Sequence, residues 1–200
     1  MAVARRIGTE SSATRAQIIA AAEAIFIEEG YGAASTRRVA ARAGLKPSLV
    51  HYYFPTTEDL LLAMSRKGQA ESDEWLERAL AAPDPLTALW QLMVDSSRNA
   101  LALETMALAN HREVIRAEIQ AHSQRMRTRQ VEAIERVLGE RLRLDPALTA
   151  PGLSLILAGI GRALVMEGGL GITTGHEDAA RWVRHWLGQL TGDSDPASDA

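Results

Sequence analysis

Apolar residues recur with the period of an α-helix along almost the whole chain. In the first such segment, Ile18, Ala22, Ile25 and Phe26 fall on one helical face. No segment alternates apolar and polar residues as a half-buried strand would. Alanine and leucine, both strong helix formers, are the commonest residues. The pattern therefore predicts an all-α protein.

Capping residues place the first two helices. Thr14 and Gln17 have the spacing of a capping box, and Gly30 is placed to end the first helix in a left-handed conformation. Ser35 can cap a short second helix that runs through Arg42. On this helix Val39, Ala40 and Ala43 are expected to point inward.

Glycine and proline punctuate the remaining helices. Gly44 separates the second helix from a third, Pro47–Tyr53, which Pro55 closes. Thr56 and Asp59 frame the start of a long fourth helix, 57–80. Further helices are predicted over residues 86–101, 102–110, 112–143, 147–168 and 177–190.

These elements indicate two domains within one chain. A three-helix N-terminal domain is expected over residues 1–60, and a helical bundle over residues 61–192. The helix 57–80 should join them as a rigid connection rather than a flexible linker. Residues 193–200 are small and polar, and are expected to form a disordered tail.

Charge and composition narrow the classes of function. The net charge is −3, yet residues 1–67 carry nine Lys or Arg against six Asp or Glu. Between Gly30 and Thr57 there are four basic residues and no acidic one, which suggests an anionic partner for that segment. The absence of cysteine excludes disulfides, thiolate metal sites and a cysteine nucleophile.

No membrane or secretory segment is predicted. The apolar stretch Leu153–Met166 is interrupted by Arg162 and is shorter than the ~20 residues of a membrane helix. The N-terminus has no apolar core of a signal peptide. We therefore expect a cytoplasmic protein with no membrane partner.

The segment Ser35–Met64 carries the most specific pattern in the chain. Two helices of about eight residues meet at Gly44, where Ala40 allows close approach and Val39 can pack on Val50. This spacing is typical of a helix-turn-helix, in which the second helix enters the DNA major groove, about 12 Å wide.

The chain here resembles the TetR/AcrR family of bacterial transcriptional regulators. The resemblance rests on TRAQIIAAAEAIFIEEGYGAAS, VAARAGLKPSLVHYYF and FPTTEDLL, which lie between Thr14 and about Met64. It implies an N-terminal DNA-binding domain, a C-terminal ligand-binding and dimerisation bundle, and operator DNA as partner. Two positions depart from the family pattern, because Arg38 stands where an acidic residue is common and Thr57 where lysine is frequent.

The resemblance also implies a set of DNA-binding residues on the second helix, the third helix and the start of the fourth. Lys46 and Ser48 are expected near base edges or phosphates, Leu49 near a thymine methyl group, and Tyr52 and Tyr53 near phosphates. Phe54 is expected to lean towards the core. The full set is Ser35, Thr36, Arg37, Lys46, Pro47, Ser48, Leu49, His51, Tyr52, Tyr53 and Thr57.

For the C-terminal bundle the resemblance implies a homodimer and a small-molecule effector. The predicted dimer residues, small or apolar at helical spacing, are Ala158, Gly161, Val183, Trp186, Leu187 and Leu190; these stripes could equally line the core of one chain. The candidate pocket residues, apolar with a few polar groups, are Trp90, Met93, Ser97, Met106, Asn110, His122, Met126, Arg162 and Met166. A plain core is the alternative for these residues too.

No catalytic, metal or cofactor site is predicted. The five histidines lack metal-ligand spacing, and no nucleophile elbow or phosphate-binding loop occurs. Arg125, Arg127 and Arg129 are expected to form a solvated, ion-paired face. Two alternatives stay open: a constitutive or architectural DNA binder without a ligand, and a ligand-binding or enzymatic bundle with a vestigial DNA-binding motif.

Overall fold

The computed structural model describes residues 12–192, except for the side chains at positions 31, 96–101 and 104. The predicted tail, 193–200, lies outside this range. The described residues form α-helices and one short 3₁₀ turn, with no strand among them. The all-α prediction is confirmed.

The helices, numbered in chain order, are α1 (Ala13–Glu29), α2 (Thr36–Ala43), α3 (Pro47–Tyr53), α4 (Thr57–Leu80), α5 (Pro85–Val94), α6 (Ser96–Ala109), α7 (Glu113–Leu144), α8 (Ala150–Gly169) and α9 (His176–Thr191). The chain divides into two compact units after Gln69, inside α4. The boundary expected from the sequence lies nine residues earlier, in the same helix.

The start of α1 differs from the prediction. Ser12, not Thr14, is the N-cap, and its hydroxyl accepts a hydrogen bond from the Arg15 amide at 3.1 Å. Thr14 lies inside the helix, and the Gln17 side chain instead donates to the Ala43 carbonyl at 2.7 Å. The capping-box prediction was wrong for two reasons. Ser12 and Thr14 lie close together in the sequence and either hydroxyl could cap the helix, and the Gln17 side chain bonds to α2 instead of to the start of its own helix.

The first unit is built on the apolar faces that the sequence predicted. Ile18, Ala22, Ile25 and Phe26 of α1 are almost completely buried. From α2 and α3, Val39, Ala40, Ala43 and Val50 are also buried.

In the second unit, the predicted break between residues 101 and 102 is wrong. α5 ends at Val94, Asp95 is extended with φ −70° and ψ 98°, and α6 begins at Ser96. No glycine or proline marks this break. Its only local signal is the Asp-Ser pair, since both residues favour helix caps over helix interiors.

The core of the second unit lies where α5, α7, α8 and α9 meet. It contains Trp90, Ile134, Leu138, Leu157 and Val183, all essentially inaccessible to solvent. Short caps position these helices: the Asp84 carboxylate accepts from the Thr87 amide at 3.1 Å, and the Thr149 hydroxyl accepts from the Gly152 amide at 3.2 Å.

α8 also corrects the sequence argument about membrane segments. Among the described helices it alone is long and apolar enough to cross a membrane, with 20 residues and a mean hydropathy of 1.3. The core helix of a soluble protein meets the same criterion. In this chain Leu153, Ser154, Leu157 and Val165 of α8 are buried against the rest of the second unit.

Candidate nucleic-acid interface

A tight turn between α2 and α3 sets the geometry of the candidate interface. Gly44 ends α2 in the left-handed conformation, with φ 66° and ψ 28°, which glycine adopts without steric cost. The Leu45 amide donates back to the Ala40 carbonyl at 2.9 Å. Because Val39 and Val50 are buried beside this turn, the opposite face of α3 points outward.

The outward face of α3 carries most of the residues predicted to bind DNA. Tyr52 is 44% exposed, whereas Phe54 at the end of α3 is buried as predicted. Leu49 and Tyr53 are half-buried. The other exposed members of the predicted set are Ser35, Arg37, Lys46, Pro47, Ser48, His51 and Thr57, while Thr36 is half-buried.

Two of the four basic residues in this segment are already neutralised by α1. The Arg42 guanidinium donates to both oxygens of Glu28, with one distance of 2.7 Å, and Arg38 donates to both oxygens of Glu29. The hydrogen bonds from Arg42 lower the pKa of Glu28. These pairs tie α2 to α1.

Arg37 and Lys46 differ from the other two cations. Both are exposed, and no carboxylate within the described ranges forms an ion pair with either. Their charges are therefore available to an external anion. The sequence shows four cations in this segment, but it does not show which of them are paired. The pairing depends on where α1 places Glu28 and Glu29 in the folded chain.

A shallow, open concavity of about 510 Å³ lies beside α3. It is lined by Gly44, Leu45, Lys46, Ser48, Leu49 and Tyr52. The Tyr52 ring makes an edge-to-face contact with Tyr53, with centroids 5.3 Å apart. This surface combines a cation, two hydroxyl groups and an apolar side chain. In proteins that bind DNA, cations and hydroxyl groups contact phosphates, and hydroxyl and apolar groups contact base edges in the groove.

The start of α4 is capped as the sequence predicted. The Asp59 carboxylate accepts from the Thr56 amide at 3.0 Å and from its hydroxyl at 2.7 Å, and the Asp59 amide donates back to that hydroxyl. The neighbouring Thr57 is exposed. The Asp59 charge makes this helix start less favourable for a phosphate than an uncharged cap would be.

The structure disperses the candidate pocket residues of the second unit. Trp90 is completely buried, Met93, Met126 and Arg162 are half-buried, and His122 is 9% exposed. Ser97 lies in α6, but its side chain is outside the described part. Met106, Asn110 and Met166 are solvent-exposed, so one chain does not enclose them.

Four of the predicted dimer residues belong to the core of a single chain. Val183 and Leu187 are inaccessible to solvent, and Ala158 and Gly161 are buried. These four residues fill the core of one chain, which is the alternative that the sequence left open for these stripes, and they offer little surface to a second copy. Trp186 and Leu190 are half-buried.

An adjacent apolar stripe is exposed instead. On α8 it comprises Leu155, Ile156 and Met166, which are about half exposed, and on α9 it comprises Trp182. The Trp182 ring stacks on Trp186 with centroids 5.3 Å apart. The sequence correctly predicted the helical spacing of the apolar residues in α8 and α9. It did not predict which face of each helix packs on the core.

A partly buried polar cluster between α7 and α8 was missed at the level of sequence. Arg127 was expected on a solvated face; instead its Nη1 donates to the Ser154 hydroxyl at 3.1 Å, and that hydroxyl donates to Gln130 Oε1 at 2.9 Å. Ser154 and Gln130 are buried. Arg129 does form an ion pair, with Glu77 of α4.

His122 is the other buried ionisable group on α7. Its Nδ1 has no hydrogen-bond partner and lies 3.9 Å from the Asp73 carboxylate. Burial is the main cause that lowers the pKa of His122, with an opposing contribution from Asp73. At neutral pH the ring is therefore uncharged.

Comparison with known families assigns the helix-turn-helix segment. Residues 18–64 match the model of the family described as bacterial regulatory proteins, tetR family. A curated relative, the HTH-type transcriptional dual regulator CecR of Shigella flexneri, is 37% identical over 98 residues. That match covers 44% of this chain and 43% of the relative, so it spans less than half of either protein.

Solved structures extend the likeness of fold to most of the chain. A TetR transcription regulator from Haloarcula marismortui superposes with a TM-score of 0.72 at 18% identity, covering 90% of this chain and 97% of that one. The multidrug binding protein EbrR, solved with imidazole, gives 0.61 at 24% identity, covering 90% and 96%. At these identities the likeness concerns the fold alone.

Proposed function

Since residues 18–64 match the tetR family model and the fold resembles solved regulators of that family, we propose that this chain is a TetR/AcrR-type regulator. In this proposal it is a dimeric transcriptional repressor released from operator DNA by a small-molecule effector. As a DNA-binding regulator it would act in the cytoplasm. It has no catalytic role in this proposal.

The division of basic residues on the helix-turn-helix carries the DNA-binding proposal. Arg38 and Arg42 are held by Glu29 and Glu28, whereas Arg37 and Lys46 are exposed beside the outward face of α3. Phosphate contacts from such cations position a protein on DNA, and hydroxyl and apolar groups then read the base edges. In this arrangement Lys46 lies beside Ser48 and Leu49, which are the candidate reading residues.

A homodimer supplies the second recognition helix. One helix-turn-helix makes few base contacts, and specific affinity comes from two half-sites about 34–36 Å apart. We assign the dimer contact to the exposed apolar stripe of α8 and α9, including Leu155, Met166 and Trp182. The small residues Gly159 and Ala163 lie on the same side of α8 and would permit close approach of the partner helix.

The effector would bind in the second unit and act by shifting populations. EbrR is described as a multidrug binding protein, which supports a ligand role for the corresponding part of this chain. A ligand that binds more tightly to a conformer with the wrong spacing of recognition helices would reduce operator affinity. Since operator occupancy hinders transcription, loss of DNA binding would raise expression.

In vitro selection from random DNA duplexes tests the proposal. We expect enrichment of a two-fold symmetric sequence that the wild-type protein shifts in a gel at nanomolar concentration. The Arg37→Ala and Lys46→Ala variants should each bind this sequence measurably more weakly than the wild type, whereas Arg42→Ala, which removes a cation of the same segment, should bind it as the wild type does.

The same experiment separates the two alternatives. Binding of DNA duplexes with no sequence enriched by the selection would indicate an architectural DNA binder. Failure of the wild-type protein to bind any duplex would overturn the proposal and favour a helical bundle with a vestigial motif.

A further inference from the structure

Two arginines on facing helices of the second unit have no acidic partner among the described residues. Arg127 lies on α7 and Arg162 on α8, and both are half-buried. Within residues 70–192 as described, no carboxylate forms an ion pair with either guanidinium group. By contrast, Arg129, also on α7, forms an ion pair with Glu77 of α4.

The two guanidinium groups act on each other. Burial lowers the pKa of Arg127, and the positive charge of Arg162 lowers it further. Two like charges in a partly dehydrated site oppose folding unless an anion offsets them. The side chain of Arg162 can lean towards the N-terminal end of α8, which is the direction of Ser154.

The surrounding polar groups hold Arg127 in place without neutralising it. Ser154 accepts from Arg127 and commits its only proton to Gln130, so it remains a neutral acceptor. Arg127 therefore keeps further N–H donors for another partner. The Gln130 amide nitrogen, which has no acceptor among the described residues, adds a donor to the same cluster.

Apolar side chains border this cluster of donors. A Cβ atom at Gly161, the residue before Arg162, would lie only 2.8 Å from the Met93 carbonyl oxygen, so α5 passes directly beside this part of α8. Met93 and Met126 pack on the edge of the core that contains Trp90. Methionine adapts its shape to a ligand at low cost.

We infer that Arg127 and Arg162 form the anion-binding part of the effector site and take the oxyanion group of a small organic molecule. The carboxylate or phosphate of the ligand would accept hydrogen bonds from both guanidinium groups, and its apolar body would lie against Met93 and Met126. This inference rests on the proposed function, since it names the chemical class of the effector.

Direct binding to the full-length protein in the absence of DNA tests the inference. Sodium octanoate, neutral 1-octanol and inorganic phosphate are titrated separately, and binding is followed by calorimetry and by the fluorescence of Trp90 and the other tryptophans. Octanoate should bind and octanol should bind at least about 10-fold more weakly, because only the carboxylate can accept from the arginines. If phosphate binds and octanoate does not, the anion bound by the two arginines is a free inorganic oxyanion rather than the carboxylate of an apolar acid.

Arginine variants connect the binding to the site. Arg127→Gln and Arg162→Gln should each weaken octanoate binding by about 10- to 100-fold, the range expected for loss of a charge-assisted hydrogen bond. Arg136→Gln is the matched control, because Arg136 is an exposed arginine on the same helix, α7. Arg162→Gln should also leave the melting temperature of the free protein unchanged or raise it, since it relieves repulsion with Arg127.

Three results would overturn the inference. They are equal binding of octanol and octanoate, oxyanion binding that neither arginine variant weakens, and no binding of either oxyanion at millimolar concentration. If the wild-type protein binds neither oxyanion but still selects a DNA sequence, the proposed function as a DNA-binding regulator stands. Only the assignment of Arg127 and Arg162 to an anion site is then overturned.

Discussion

Gly161 of α8 lies directly against the backbone of Met93 at the end of α5. A Cβ atom at position 161 would come within 2.8 Å of the Met93 carbonyl oxygen and 3.0 Å of its Cβ. Backbone atoms cannot move aside as a flexible side chain can. The close approach of α5 to α8 therefore requires glycine at this position.

Gly161→Ala should destabilise the protein. Overpacking of a fitted core costs about 1–3 kcal/mol, which exceeds the ~1 kcal/mol gained in helix propensity. The free energy of unfolding from urea titrations measures the change. Gly139→Ala on α7 is the control, because nothing lies within 4 Å of its added Cβ, and it should stabilise the protein. Stabilisation by both substitutions would show that α5 does not pack so closely.

Leu155→Arg should dissociate the proposed dimer. Leu155 is 57% exposed in one chain, and a two-fold interface would place the new charge at the contact twice. We expect the dimer dissociation constant to rise at least about 100-fold, measured by sedimentation equilibrium. Leu144→Arg is the control, since Leu144 is 84% exposed but lies at the end of α7. A stable dimer of Leu155→Arg would move the interface elsewhere.

Acid should weaken the fold through His122. Its pKa is lowered by burial, while the charges of Asp73 and Glu118 raise it and that of Arg125 lowers it. The unfolded chain, with a histidine pKa of about 6.5, therefore binds a proton more readily than the folded protein. The stability contributed by neutral His122 is present above that pH and is lost as the pH falls towards the lowered pKa.

His122→Gln should reduce this acid sensitivity. Urea midpoints at pH 7.5 and 5.5 provide the measurement, and the wild-type protein should show the larger drop between them. His185→Gln, at an exposed position of α9, should behave as the wild type does. An identical drop in all three proteins would assign the acid sensitivity to other groups.

Lys46→Ala should change the salt dependence of DNA binding. If Lys46 neutralises one phosphate, the logarithmic slope of affinity against salt should become shallower by about one unit. The slope comes from gel-shift titrations on the selected duplex between 50 and 200 mM salt. Arg42→Ala should keep the wild-type slope, because Arg42 already pairs with Glu28. A slope unchanged by Lys46→Ala would place this residue away from the phosphates.

Local signals in the sequence determined the helix-turn-helix almost completely. Ser35, Gly44, Pro47 and the Thr56–Asp59 pair mark the ends of short helices, and the structure places the ends at those residues. Such signals act within about one helical turn, because a capping side chain reaches only the nearest backbone groups. The local sequence is therefore sufficient to predict where these helices begin and end.

Tertiary packing alone decided which charges and which apolar faces are free. α8 and α9 carry apolar residues on more than one face, so their spacing could not tell buried Val183 from exposed Trp182. In the same way, Glu28 and Glu29 of α1 pair with Arg42 and Arg38, so that Arg37 and Lys46 have no ion-pair partner among the described residues. The packing of α7 on α8 leaves Arg127 half-buried and bonded to Ser154. Burial and pairing depend on residues distant in the chain, and a periodic pattern contains no information about which neighbour a helix face will meet.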